Sequence, residues 1–245
     1  MAQRGRAISV KILRYSFLIF SLSLQAADHL FCLHGFLRTP RAMRPIERTM
    51  QREGWHVTNW GYPSRAKTIH EHADDLLCDL TAHARTYPGE PINFVTHSMG
   101  GLIVRVALSH PDCPIEATCG KIVMIAPPNR GSQFGRALTT FPIIKRVVGK
   151  KAGKQLLRTE SFLPLGHLPD SVDVLIVAGT LGVNPFLREA NDGKVSLSET
   201  RLDTPHRHVT VRAGHSWISS SKATIAHVRT FLTQPHSPPA ESREP

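Results

Sequence analysis

Apolar positions along the chain fall into two alternating rhythms. Short runs of β-forming residues occur at His29–Leu33 (HLFCL), His56–Trp60 (HVTNW), 92–96 (INFVT), 121–126 (KIVMIA), 174–178 (VLIVA) and 208–212 (HVTVR). Between them lie segments whose apolar residues recur three and four apart, the spacing that turns one face of a helix toward a core. Residues 42–53 form the first, with Pro40 and Pro45 near its start, where proline is tolerated, and Gly54 at its end. Residues 68–86 form the second: Ile69, Ala73, Leu76, Leu77 and Leu80 follow the helical spacing, and Tyr87-Pro88-Gly89 stops it. Helices are expected again over 102–109 and 218–232. Strands alternating with helices, the strands nearly continuously apolar, predict an α/β fold. Its core is a mostly parallel sheet of about six strands with helices on both faces.

One interval breaks the rhythm. Between Ala126 and Val174 lie about fifty residues without a strand-like run. A connection of that length is usually a functional lid. A helical cap is therefore expected over about 131–170, with short helices at 141–148 and 152–157. The domain itself is expected over 28–234, followed by a loose proline-rich tail from Pro235 (PHSPPAESREP).

Charge first suggests an anionic partner, because the formal net charge is +11. Its distribution changes that picture. Residues 1–27 contribute Arg4, Arg6, Lys11 and Arg14 and no acid. Residues 130–158 contribute Arg130, Arg136, Lys145, Arg146, Lys150, Lys151, Lys154 and Arg158, again with no acid. The rest of the chain is close to neutral. Nucleic-acid binders spread bases over a folded face and interleave aromatics. Here the basic stretch holds only Phe134 and Phe141, so nucleic acid is not expected as a partner. The basic cap segment, with Ile143, Ile144, Val147 and Val148 beside Lys150, Lys151 and Lys154, suits either a solvated lid or peripheral contact with an anionic membrane.

At the N-terminus, basic residues precede the apolar run 15–24 (YSFLIFSLSL) and then Gln25-Ala26-Ala27. The run is shorter than the roughly 18 residues of a membrane-spanning helix. It reads as a secretory signal peptide, with an N-terminal anchor as the alternative, and implies an exported protein whose mature chain begins near Ala27 or Asp28. Export permits disulfides. Cys113 and Cys119 flank a short loop where pairing is open, whereas Cys32 and Cys78 are expected as buried thiols. His110, Cys113 and Cys119 match no zinc spacing, and no metal site is expected.

The chemistry concentrates after the third strand. Residues 92–96 run into His97-Ser98-Met99-Gly100-Gly101, and a helix begins at once. A serine on a tight strand-to-helix turn is projected above the sheet, and the helix start below it offers free N–H groups to a nascent oxyanion. Here the sequence resembles the α/β-hydrolase family, with Thr96 standing where the first glycine of G-x-S-x-G is usual. His34-Gly35-Phe36 directly follows the first strand, as in lipase-like hydrolases. The resemblance implies an α/β-hydrolase fold and oxyanion-hole donors on the backbone of Phe36 and Met99, with His34 structural. It implies His215 as the base, in Ala213-Gly214-His215-Ser216-Trp217 after the last strand. His206 and His208 belong to the opposite end of that strand, and His97 points away from the serine. The acid of the implied triad is Asp192, in Asn191-Asp192-Gly193; Asp170, Asp173 and Asp203 are weaker alternatives. Ala126-Pro127-Pro128-Asn129-Arg130-Gly131-Ser132 is similar to the segment that opens the cap in bacterial members. The implied activity is hydrolysis of carboxylic esters, small-molecule or lipid, without cofactor. Thioester or amide cleavage and acyl transfer would use the same residues, and a non-catalytic binding protein would keep only the fold.

Overall fold

The computed structural model describes residues 28–138 and 151–235. The expected signal segment, the 141–148 helix and the tail beyond Pro235 lie outside the described residues. Six strands are present among them: β1 (His29–Leu33), β2 (His56–Trp60), β3 (Ile92–His97), β4 (Lys121–Ile125), β5 (Asp173–Gly179) and β6 (Arg207–Val211). They form one sheet in the order β2-β1-β3-β4-β5-β6, every pairing parallel.

Each strand feeds two cores because successive side chains point to opposite faces. Phe31 and Leu33 of β1, Ile92 and Phe94 of β3, Ile122 and Met124 of β4, and Val174 and Ile176 of β5 face one side. There they meet helices α2 (Ile69–Thr86) and α3 (Met99–Leu108). Leu30, Cys32, Val95, Val123, Ile125, Leu175 and Val177 face the other side. They meet α1 (Arg44–Arg52) through Ile46 and Met50, and the closing helix through Val228, Phe231 and Leu232. That two-sided burial is why the strands read as unbroken apolar runs.

Helix ends account for most differences from the sequence reading. α2 starts where expected because Thr68 and Glu71 form a reciprocal capping box. α3 begins three residues earlier than its apolar spacing suggests, since Gly100-Gly101 have little helix propensity and the segment is held by the turn before it. The expected helix 218–232 is two pieces, a 3-10 turn at Ile218–Ser220 and a helix over Lys222–Thr233, broken at the extended Ser221. Cys78 is exposed, contrary to expectation: it lies two positions from both Leu76 and Leu80, on the far side of α2. Cys32 is buried as expected, and Cys113 and Cys119 are unpaired thiols.

The short α4 (Ile115–Thr118) precedes β4, and α5 (Gln133–Leu138) and α6 (Ala152–Arg158) follow it. α5 packs on α6. Two bonds tie α6 to the start of α2: Ala152 N–H donates to Lys67 O at 3.1 Å, and Ile69 N–H to Gln155 Oε1 at 2.8 Å. Below them Arg105 of α3, 1% exposed, joins helix to loop. Its guanidinium donates to Asn129 Oδ1 (3.1 Å), Leu163 O (2.9 Å) and Gly166 O (2.8 Å). Arg105→Ala should strand the buried Asn129 Oδ1 and two half-buried carbonyls and cost about 3 kcal/mol, with Arg105→Lys recovering only part because an ammonium lacks the fork. Urea unfolding midpoints at constant m measure both.

Candidate active site

Connections from β1 lead one way along the sheet and those from β3 the other. The carboxyl ends of β1 and β3 therefore frame a crevice, the place where open α/β sheets carry their sites. The 34–38 loop leaves β1 on one side of it and Ser98 leaves β3 on the other.

Ser98 has φ 52° and ψ −120°, a conformation L-residues avoid and one that costs about 1–3 kcal/mol. Its neighbours make room for the turn. A Cβ on Gly100 would lie 2.8 Å from Leu33 O and 2.9 Å from His34 O, so no larger residue fits where the second glycine stands. Gly35 is equally tight from the other side, with its missing Cβ 3.0 Å from His97 Nδ1 and 3.1 Å from Ser98 Cβ. Thr96 is accommodated, fully buried, with its hydroxyl directed toward Val123 O at 3.4 Å.

Three residues from three loops converge. His215 Nε2 stands 3.1 Å from Ser98 Oγ, and His215 Nδ1 stands 2.7 Å from Asp192 Oδ2. An ionised carboxylate only accepts, so Nδ1 carries the proton and Nε2 presents its lone pair to the serine hydroxyl. The other carboxylate oxygen accepts from Lys194 N (2.9 Å) and Val195 N (2.8 Å), which fixes the plane of the group. His215 N–H donates to Asp192 O at 2.8 Å, so backbone as well as side chain holds the pair together. The alternatives lie elsewhere. Asp173 begins β5 and pairs with Arg207 at 3.2 Å, Asp203 is 3.8 Å from His167, and Asp170 precedes β5 at the sheet's far end. His208 bonds Thr200 Oγ1 rather than any group of this cluster.

The loop after β1 is braced by groups that sequence reasoning did not single out. His34 stacks on Tyr62 at 4.2 Å, and Tyr62 O–H donates to His34 O at 2.6 Å. Burial lowers the His34 pKa, so the ring is neutral, in keeping with a structural residue. Leu37, at φ 57°, donates its N–H to Ser64 Oγ at 3.0 Å. Neither Phe36 N–H nor Met99 N–H has an acceptor among the described residues. His97, expected to point away from Ser98, is directed to His215: its Nε2 donates to His215 O at 3.1 Å. Desolvation first, and the His215 ring second, push its pKa well below the usual value. It is a neutral strut under the His215 backbone. Adjacency to Ser98 was its only signal in the sequence.

The crevice opens into a cavity of about 490 Å³. Phe134 and Leu138 of α5, Leu156 and Leu157 of α6, and Phe36 and Val195 give it apolar lining; Arg38, Lys194, Ser98 and His215 are among its polar lining residues. Among the described residues no group of His, Cys, Asp and Glu could hold a metal ion, and no helix is long and apolar enough to cross a membrane.

Solved structures share this arrangement of elements. The chain superposes on the mature form of Bacillus licheniformis lipase BlEst2 with a TM-score of 0.70 at 16% identity, covering 86% of this chain and 94% of that one. Its propeptide form gives 0.73 at 16% identity, and there the chain covers 90% of itself but only 53% of the longer lipase chain. The metagenomic carboxyl esterase MGS0156 gives 0.61 at 19% identity, over 87% of this chain and 69% of that one.

The fold is that of the α/β-hydrolases.

Within this fold the strand-to-helix turn at Ser98 and the loops after β5 and β6 meet at one end of the sheet. No protein-family model and no curated protein matches the sequence.

Proposed function

We propose that this protein is a serine hydrolase of carboxylic esters, acting through Ser98, His215 and Asp192. The observation that carries the reading is the unbroken line from Asp192 Oδ2 through both ring nitrogens of His215 to Ser98 Oγ, at 2.7 and 3.1 Å. Ser98 attacks the ester carbonyl while His215 Nε2 takes its proton, and Asp192 stabilises the imidazolium. The carbonyl oxygen becomes an oxyanion held by the Phe36 and Met99 N–H groups. As the intermediate collapses, His215 returns the proton to the departing alcohol and an acyl-enzyme remains. Water then repeats the sequence, losing its proton to His215 and releasing the carboxylic acid and Ser98. The apolar wall formed by α5 and α6 suits an acyl chain.

A fluorophosphonate probe tests the reading directly. It should label the protein at Ser98, found by peptide mapping, and the labelled protein should lose hydrolysis of p-nitrophenyl esters across an acetate-to-palmitate series. A protein that stays unlabelled and inert on every ester would be a binding module on a hydrolase fold.

Export and contact of the basic cap with an anionic membrane belong to the same proposal. Lys151, one of the three lysines expected at the cap rim, is 3.2 Å from Glu71, so part of that charge is met within the fold.

A further inference from the structure

The catalytic cavity carries two cations that the proposed chemistry does not use. Arg38 follows the β1 loop and Lys194 follows Asp192, and both side chains border the cavity beside Ser98 and His215. Neither has a carboxylate partner among the described residues. Arg38 reaches only Ser216 O, at 3.4 Å. The one acid close to Lys194, Asp192, already accepts from His215 and from two backbone N–H groups. Residues 130–158, which bring α5 and α6 to the cavity, contain no Asp or Glu to act as a counter-charge.

Both cations adjoin the loops that carry His215 and Asp192. Arg38 bonds the residue after His215, Lys194 follows the residue after Asp192, and the two charges act together on the buried His97 ring beneath His215. Desolvation first, and Arg38 second, hold the Lys194 pKa below the usual lysine value. Two like charges lining one cavity repel, and an anion between them relieves both. Phe134 and Leu138 of α5 and Leu156 and Leu157 of α6 give the same cavity an apolar part.

We infer that Arg38 and Lys194 form a subsite for an anionic group on the alcohol portion of the ester, while the acyl chain lies on the apolar wall. The inference rests on the serine-esterase reading. It follows from the direction of proton transfer: the departing alcohol oxygen must face His215 Nε2, and Arg38 is held beside His215 by its bond to Ser216 O, with Lys194 lining the same cavity. The acyl chain then extends toward Phe134, Leu138, Leu156 and Leu157. A carboxylate or a phosphate on the alcohol has the required charge.

Butyrate esters of matched phenols test it: 4-hydroxybenzoate, 4-hydroxyphenyl phosphate and the neutral methyl 4-hydroxybenzoate. At low ionic strength, kcat/KM for at least one anionic ester should exceed the neutral one by about tenfold, the order expected of a charge pair at a partly exposed site. The excess should shrink in high salt. The carboxylate and phosphate arms show which anion fits. In Arg38→Gln and Lys194→Gln the ratio of anionic to neutral rates should fall toward one. Calorimetry of 4-hydroxybenzoate and 4-hydroxyphenyl phosphate with Ser98→Ala gives a second readout that needs no turnover, and binding there should vanish when both glutamines are added. A native ratio of one or below for both anions, or a ratio that survives in the double variant, overturns the subsite. Failure of the fluorophosphonate label and of all ester hydrolysis overturns the serine-esterase reading instead, and the calorimetry still decides whether the cations bind an anion.

Discussion

On the proposed reading Ser98→Ala lowers kcat on p-nitrophenyl esters by about 10⁴-fold or more, because nucleophile, base and acid would act as a unit. The fold should survive. The elbow's backbone conformation is imposed by β3, by α3 and by the close packing of Gly35 and Gly100, none of which involves the hydroxyl. Thermal unfolding should therefore stay within about 0.5 kcal/mol of the native protein. Steady-state rates together with a melting curve check the two halves separately. Near-native turnover in this variant would remove Ser98 from the chemistry.

Asp192→Asn should be almost as damaging, at about 10⁴-fold in kcat, for a reason visible in the local bonds. Oδ1 accepts from the N–H groups of Lys194 and Val195, so the asparagine carbonyl oxygen must stay there. The amide NH₂ is then turned to His215 Nδ1, where it can only donate. His215 has to move its proton to Nε2, and Ser98 loses its acceptor. Structure and stability should change little, since every hydrogen-bond position remains filled. Asp170→Asn, Asp173→Asn and Asp203→Asn should keep near-native turnover. Loss in one of these with turnover preserved in Asp192→Asn would place the acid elsewhere.

Much of the architecture is legible in the sequence, and the reason is burial. Strands covered on both faces must be apolar at consecutive positions, which is why 121–126 and 174–178 stand out without any alternation. The strand ends are less visible. Ala126 looks like a sixth β4 residue, but at φ 47° it has already left the strand, its N–H going to Val177 O at 2.8 Å. Ser98 and His215 could be found from their places after β3 and β6. Asn191-Asp192-Gly193 reads equally as an ordinary turn, and in the structure it is one as well: the same carboxylate closes the turn through Oδ1 and reaches His215 through Oδ2. His97, Tyr62 and Ser64 have no pattern to betray them, because each acts on backbone brought near only by the fold. Arg38 and Lys194 look like ordinary surface charge until the loops after β1 and β5 are set around one cavity.

The order of the loops along the chain sets a schedule for synthesis. Ser98 and the β1 loop are complete once the first four strands exist, yet Asp192 and His215 follow about a hundred residues later. Domains grow from the N-terminus during translation, and parallel pairing of distant strands is slow to form. A nascent chain that has made only β1 to β4 therefore carries the proposed nucleophile without a base. On the proposed reading it is chemically silent toward the cell's own esters. Activity switches on in one step, when β6 docks beside β5 and brings His215 to the elbow. Products of premature termination before residue 215 should bind no fluorophosphonate at all, however well their first half folds.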